Sequence, residues 1–239
     1  PDLHAGGEPR DLPFILWDAQ ALIRTKTLLN TFKPVRTLRR TAADAVKRRV
    51  EDDGYLQWWP TGTSIPAADR QDRLRMLLHT VHTLALASFF FQDKKAASMA
   101  AEQLQVFFLD PGSRAAPEGL QPLAQASTPA ARANELSGWI NVPELLDSIS
   151  LIQDHLHRDQ VAGLRQWFAL FLSGLTSKGT TDHIRRLPLA HPDTAVYYEL
   201  IVSISTWLGD PSIITAHTEL LSEHVRNVLG QADGDGDED

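Results

Sequence analysis

The chain has no cysteine and only two methionines and three tyrosines in 239 residues. Without cysteine there is no disulfide and no thiolate nucleophile. A large core can do without disulfides, so this absence leaves the compartment open. A surplus of base is also lacking, since the formal net charge is −7. Five of the acids (Asp233, Asp235, Asp237, Glu238 and Asp239) sit in the last nine residues, and taking them away leaves a near-neutral body. Such a body offers no general attraction for nucleic acid. No apolar run is expected to reach the roughly 18–20 residues of a membrane span. The densest run, residues 84–91, is broken by Gln92-Asp93-Lys94-Lys95. There is no period-2 strand pattern, no G-x-S-x-G, no phosphate-binding loop and no dinucleotide fingerprint. The first residue is Pro1 rather than Met, which fits a leader that was removed or never included.

What is present is apolar content of 43%, sufficient for a sizeable core. Residues 1–13 form a polar arm rich in Gly and Pro. Residues 14–32 carry Trp17, Ala21, Leu22, Leu28, Leu29 and Phe32 at helical spacing, and Pro34 closes them. Residues 35–50 read as a more basic helix with a solvated face. Three units then recur: residues 73–91 with 96–108, 143–152 with 159–175, and 193–208 with 212–229. Each is an apolar helix, a turn containing Asp, and a returning amphipathic helix. Three helical hairpins in series predict an all-α array in which neighbours bury each other's apolar faces. Residues 231–239 read as an acidic, disordered tail. Their D-G-D-G-D spacing resembles the start of a calcium loop but lacks the later Glu and a following helix.

Two connections are too long for simple turns. Residues 51–68 contain two Pro and two Gly together with Tyr55, Trp58 and Trp59. Loop aromatics either anchor the loop or present a stacking platform for a sugar. Residues 110–142 form the second long connection. A third stretch, residues 187–210, begins as a polar loop, becomes an aromatic-rich helix at Tyr197-Tyr198 and stops at Gly209-Asp210. A loop that feeds polar groups into the start of a buried helix is a common way to build a site. His79 and His82 stand one helical turn apart, but no third ligand follows at metal-site spacing, so no metal is expected. His155 and His157 flank a turn and read as exposed.

An ordered series of short segments resembles the alginate lyase family of α/α-toroid polysaccharide lyases. The series is Tyr55…Trp58-Trp59-Pro60, Leu84-Ala85-Leu86-Ala87, Phe107-Phe108-Leu109-Asp110-Pro111, Leu123-Ala124-Gln125-Ala126, Gly138-Trp139-Ile140 with Glu144-Leu145-Leu146-Asp147, Ser177-Lys178-Gly179, and Tyr197-Tyr198-Glu199 with Leu208-Gly209-Asp210. The resemblance implies an incomplete α/α toroid over residues 14–230, secreted from the cell, without metal or organic cofactor. It also implies an acidic polysaccharide, a uronate polymer, as the partner, cleaved by β-elimination. That reaction removes the C5 proton next to a carboxylate, so the site must neutralise the carboxylate and supply an acid and a base.

The chain departs from the family pattern at the site itself. Pro192-Asp193-Thr194 stands where the resemblance asks for Asn-Asn-His, and Glu135 stands where it asks for Arg. The Arg-Tyr motif expected after a later turn does not appear before residue 239. Its absence predicts uncovered apolar surface and a homodimer. The acid/base candidates are therefore His191 and Tyr197. Lys178, Arg185 and Arg186 are candidates to neutralise a carboxylate, and Trp58, Trp59 and Tyr198 to contact sugar rings. A non-catalytic carbohydrate-binding pseudoenzyme and a helical interaction scaffold are the alternatives.

Overall fold

The computed structural model describes residues 13–27, 33–51, 67–115, 136 and 138–232. All regular structure among them is helical: α1 (Ala19–Lys26), α2 (Lys33–Glu51), α3 (Ala67–Phe91), α4 (Lys94–Leu104), α5 (Val142–Leu151), α6 (Arg158–Leu175), α7 (Lys178–Ile184), α8 (Pro192–Leu208) and α9 (Pro211–Ala232). A single π turn, Gln105–Leu109, prolongs α4, and a short 3-10 turn, Gln153–His155, follows α5. The helices of the three expected pairs are present with ends shifted by a few residues, but α5 packs on α3 and α8 and α6 packs on α8, so the second pair is not packed together as a hairpin. Gln231 and Ala232, placed in the expected tail, belong to α9, and residues 233–239 lie outside the described residues.

Local chemistry sets the turns. Gly209 takes a left-handed conformation, φ 77°, and ends α8. The Asp210 N–H then reaches back to the Ser205 carbonyl at 2.9 Å. The Asp210 side chain accepts from the Ser212 N–H at 3.2 Å, with Pro211 at the first helical position of α9. Asp93 does the same for α4, accepting from the N–H groups of Lys95 and Ala96. Two of the returning helices are thus capped by the Asp that marks their turn in the sequence, whereas α6 is capped by His157 with Gln160 instead of by Asp154.

Packing arranges the helices in two rows. α5 lies between α3 and α8, while α4 and α9 pack back on α3 and α8, and α6 packs on α8. Since each pair reverses direction, α3, α5 and α8 run the same way and begin at the same end. The short turns Gln92-Asp93 and Gly209-Asp210 lie at the other end. The row is filled by Leu77, Val81, Leu84, Leu145, Leu146, Ile149, Leu200, Ile201 and Ile204, all buried. At its outer side, Phe107, Phe108, Trp139, Trp167, Phe168, Phe171 and Trp207 form one aromatic cluster.

Two expectations need correction. The periodic stretch 14–32 is not helical from its start, since α1 begins only at Ala19, capped by Asp18. Residues 13–17 instead form a strap across α5. The N–H groups of Ile15, Leu16 and Trp17 all donate to the buried Asp147 carboxylate, and the Ser150 hydroxyl donates to the Pro13 carbonyl. The second concerns residues 72–91. By length and composition Asp72–Phe91 is apolar enough to cross a membrane, with mean hydropathy 1.3, contrary to the expectation that no such run exists. Within this fold 56% of that stretch is buried, which accounts for its apolar character.

Candidate functional site

The shared starting end of α3, α5 and α8 receives most of the candidate residues. Trp58 and Trp59 lie outside the described residues. Lys178 opens α7, Arg185 and Arg186 follow its last turn, His191 caps α8, and Tyr197 and Tyr198 occupy its second turn. α7 itself was not anticipated. It forms because the Ser177 and Thr180 hydroxyls, 3.0 Å apart, bond each other and tie Thr180 to the Gly174 carbonyl at 3.1 Å.

His191 is partly exposed, and its Nδ1 accepts from the Asp193 N–H at 3.2 Å. Nδ1 is therefore the unprotonated ring nitrogen in this cap, and Nε2 carries the proton. The Asp193 carboxylate lies 3.7 Å from the same ring and is buried. Burial raises its pKa above the ordinary carboxylate range, against the pull of His191. Thr194, also buried, donates its hydroxyl to the Pro188 carbonyl at 3.1 Å. The two positions where the family resemblance asks for Asn and His thus hold side chains engaged in building the start of α8.

Tyr197 is 1% exposed. Its hydroxyl lies 3.3 Å from the Thr181 hydroxyl on α7, and its ring meets Tyr198 edge-on at 5.1 Å. Burial pushes the phenol up to about 12, while the Thr181 bond and the nearby Arg185 charge hold it back. Arg185 also lies in electrostatic reach of Tyr198, whose phenol burial likewise raises. Arg185, Tyr197 and Tyr198 therefore form one group, with Arg185 paired to Glu223 of α9. Arg186 turns back to the Asp182 carbonyl, and Lys178 is exposed. His191 is bonded to Asp193 and to neither tyrosine.

The buried phenol has a testable consequence. The folded chain holds the Tyr197 proton up to about pH 12, whereas an unfolded chain releases it near the ordinary value of 10.0. A raised pKa means that the folded state binds the proton more tightly, so this stabilisation is complete below pH 10 and is lost as pH rises toward 12. In urea titrations Tyr197→Phe is expected to be less stable than wild type by about 1 kcal/mol at pH 7, through the lost hydrogen bond. The difference should shift by about 2 kcal/mol in favour of the variant by pH 12. A pH-independent difference would contradict the buried placement.

A second polar group lies along the row. On α8 the exposed positions Ala195, Glu199, Val202 and Thr206 recur at helical spacing. Burial and the charge of Glu144 on α5 both raise the pKa of Glu199. Glu144 also acts on His82 of α3, which burial lowers and whose ring meets Trp17 edge-on at 5.3 Å. The sequence offered no carboxylate near the His79–His82 pair, and folding brings Glu144 into electrostatic reach. No set of three His, Asp or Glu among the described residues is arranged to hold a metal ion. Thr181, Glu223 and His224, which frame the tyrosines and the 185–191 loop, were also missed. Only His224 carried a signal, as a polar residue on the buried face of α9.

An all-helical array of this kind, with α3, α5 and α8 side by side, defines an α/α toroid. A family model described as alginate lyase matches residues 26–235, so the chain belongs to the alginate lyase family. Among solved structures, an alginate lyase from Bacteroides ovatus shares the fold, with TM-score 0.64 and 20% identity. That match covers 89% of this chain and 65% of the other, so this chain spans just under two thirds of that protein. No curated protein matches the chain.

Proposed function

We propose that the protein is a secreted, polysaccharide lyase-like protein that holds a uronate polymer at the loop end of its toroid. The observation that carries this reading is the grouping of Arg185, Tyr197 and Tyr198 beside the start of α8, with the reachable His191 capping that helix. Arg185, Arg186 and Lys178 supply the positive charge a uronate carboxylate needs, and Tyr198 supplies a half-exposed ring. β-Elimination at this place runs through His191, the candidate whose ring solvent reaches. Tyr197 is assigned a supporting role, because a phenol kept protonated and bonded to Thr181 is a poor base.

The test is ultraviolet absorbance during incubation with alginate, polymannuronate or polyglucuronate, since elimination creates a conjugated C4–C5 double bond. The expected result is a rise that His191→Ala slows by about 100-fold, the range for loss of a general base, and that Tyr197→Phe leaves within a few-fold. A second reading, binding without chemistry, is favoured by the buried acid Asp193 at the position where a neutralising amide is needed. A flat absorbance trace with saturable quenching of tryptophan fluorescence by the same polymers selects it. A folded protein giving neither signal leaves the helical scaffold.

A further inference from the structure

Two adjacent residues of α9, Glu223 and His224, hold the loop that delivers the candidate residues, and they hold different parts of it. His224 is 3% exposed. Its Nε2 bonds the Leu187 carbonyl at 2.9 Å, and because a carbonyl can only accept, Nε2 carries the proton. Its Nδ1 is buried and has no hydrogen-bond partner, so the ring is committed to one contact, the loop backbone. Glu223 grips the side chain instead. Its carboxylate takes a charge-assisted bond from the Arg185 guanidinium, with the two side chains 50% and 38% exposed. Arg185 is the base beside both tyrosines.

We propose that His224 positions the 185–191 loop while Glu223 occupies Arg185 as an internal competitor for the carboxylate of a bound polyanion. This rests on the function proposed above and adds a regulation of that same site. A carboxylate on the ligand and the carboxylate of Glu223 present the same geometry to one guanidinium. Binding therefore exchanges one partner for the other, with Leu187 held in place by His224. The pair is partly exposed, so the exchange costs little and the competition is modest.

The two residues should have opposite effects on affinity, which a merely structural role for both does not produce. The experiment is isothermal titration of polymannuronate into the wild type and variants at constant low salt. Glu223→Gln, which keeps the size and removes the charge, should bind about threefold to fivefold more tightly. That gain should vanish in the Arg185→Gln background. His224→Ala should bind more weakly, and His224→Gln, whose amide can donate in place of Nε2, should recover most of the loss. Circular dichroism melts establish that each variant is folded. If the wild type binds and Glu223→Gln binds no more tightly, the competition is refuted and the proposed function stands. If His224→Ala folds and binds like wild type, the positioning role is refuted. If neither wild type nor Glu223→Gln binds, the proposed function falls and this inference with it. Binding by Glu223→Gln alone supports the inference in its strongest form.

Discussion

Replacing Trp167 by Ala is expected to lower the unfolding free energy by about 4 kcal/mol, the range for removing a buried large aromatic. The indole is 3% exposed. It packs against Phe108 at 4.8 Å, Phe168 at 5.0 Å, Phe171 at 5.2 Å and Trp139 at 5.7 Å between ring centroids. These rings come from the π turn after α4, the turn before α5, and α6 itself, so one cavity loosens three elements. The indole N–H also donates to the Ala115 carbonyl at 2.7 Å. Trp167→Phe separates the two contributions, because it keeps most of the packing and leaves that carbonyl without its donor. A loss of about 1–3 kcal/mol is expected there. Denaturant unfolding monitored by circular dichroism measures both, and a loss below 2 kcal/mol for the alanine variant would falsify the central role given to this ring.

The second large effect is expected at Asp147. Its carboxylate is fully buried and receives three consecutive backbone N–H groups, with Leu16 and Trp17 each at 2.9 Å and Ile15 closer still. Asp147→Ala leaves three donors without an acceptor, and each such group costs about 1–3 kcal/mol if it stays buried. The strap is partly exposed, with Leu16 at 55%, so it can detach and let water satisfy those donors. Detachment then limits the cost to the lost burial of Phe14, Ile15 and Trp17, and the net effect is expected at about 3 kcal/mol. Hydrogen exchange distinguishes the two routes. The amides of residues 15–17 should lose protection in the variant while those of α5 and α8 keep theirs. Unchanged protection at 15–17 would show that the strap is held by something other than this carboxylate. Asp147→Asn should fall between, because one side of the amide presents a donor to donors.

The helices could be read from the sequence because their determinants are local. Apolar residues recur at 3.6-residue spacing, Asp93 and Asp210 cap α4 and α9, and Gly209 supplies the left-handed turn that ends α8. The same rules misplaced the start of α1. Residues 14–18 carry an acceptable helical pattern, but the N–H groups of Ile15, Leu16 and Trp17 bind Asp147, about 130 residues away in the chain. The residues of the proposed site were close in the sequence too, since Lys178, Arg185, Arg186, His191, Tyr197 and Tyr198 lie within 21 consecutive positions.

What each of those side chains faces was not legible. Successive residues of a helix point about 100° apart, so the register of α8 against its neighbours decides which are buried. Tyr197 falls on the side of Thr181, and Glu199 on the exposed stripe with Ala195 and Val202. The partners Glu223 and His224 lie 38 and 37 residues from the loop groups they hold. By itself the sequence determined the helices and the Asp caps of α4 and α9, because propensity, spacing and capping act over a few residues. Only the tertiary structure decided that the Tyr197 phenol is buried, that Asp147 binds the strap and that Arg185 is already paired. Those outcomes depend on which faces of distant helices meet, and no local rule carries that information.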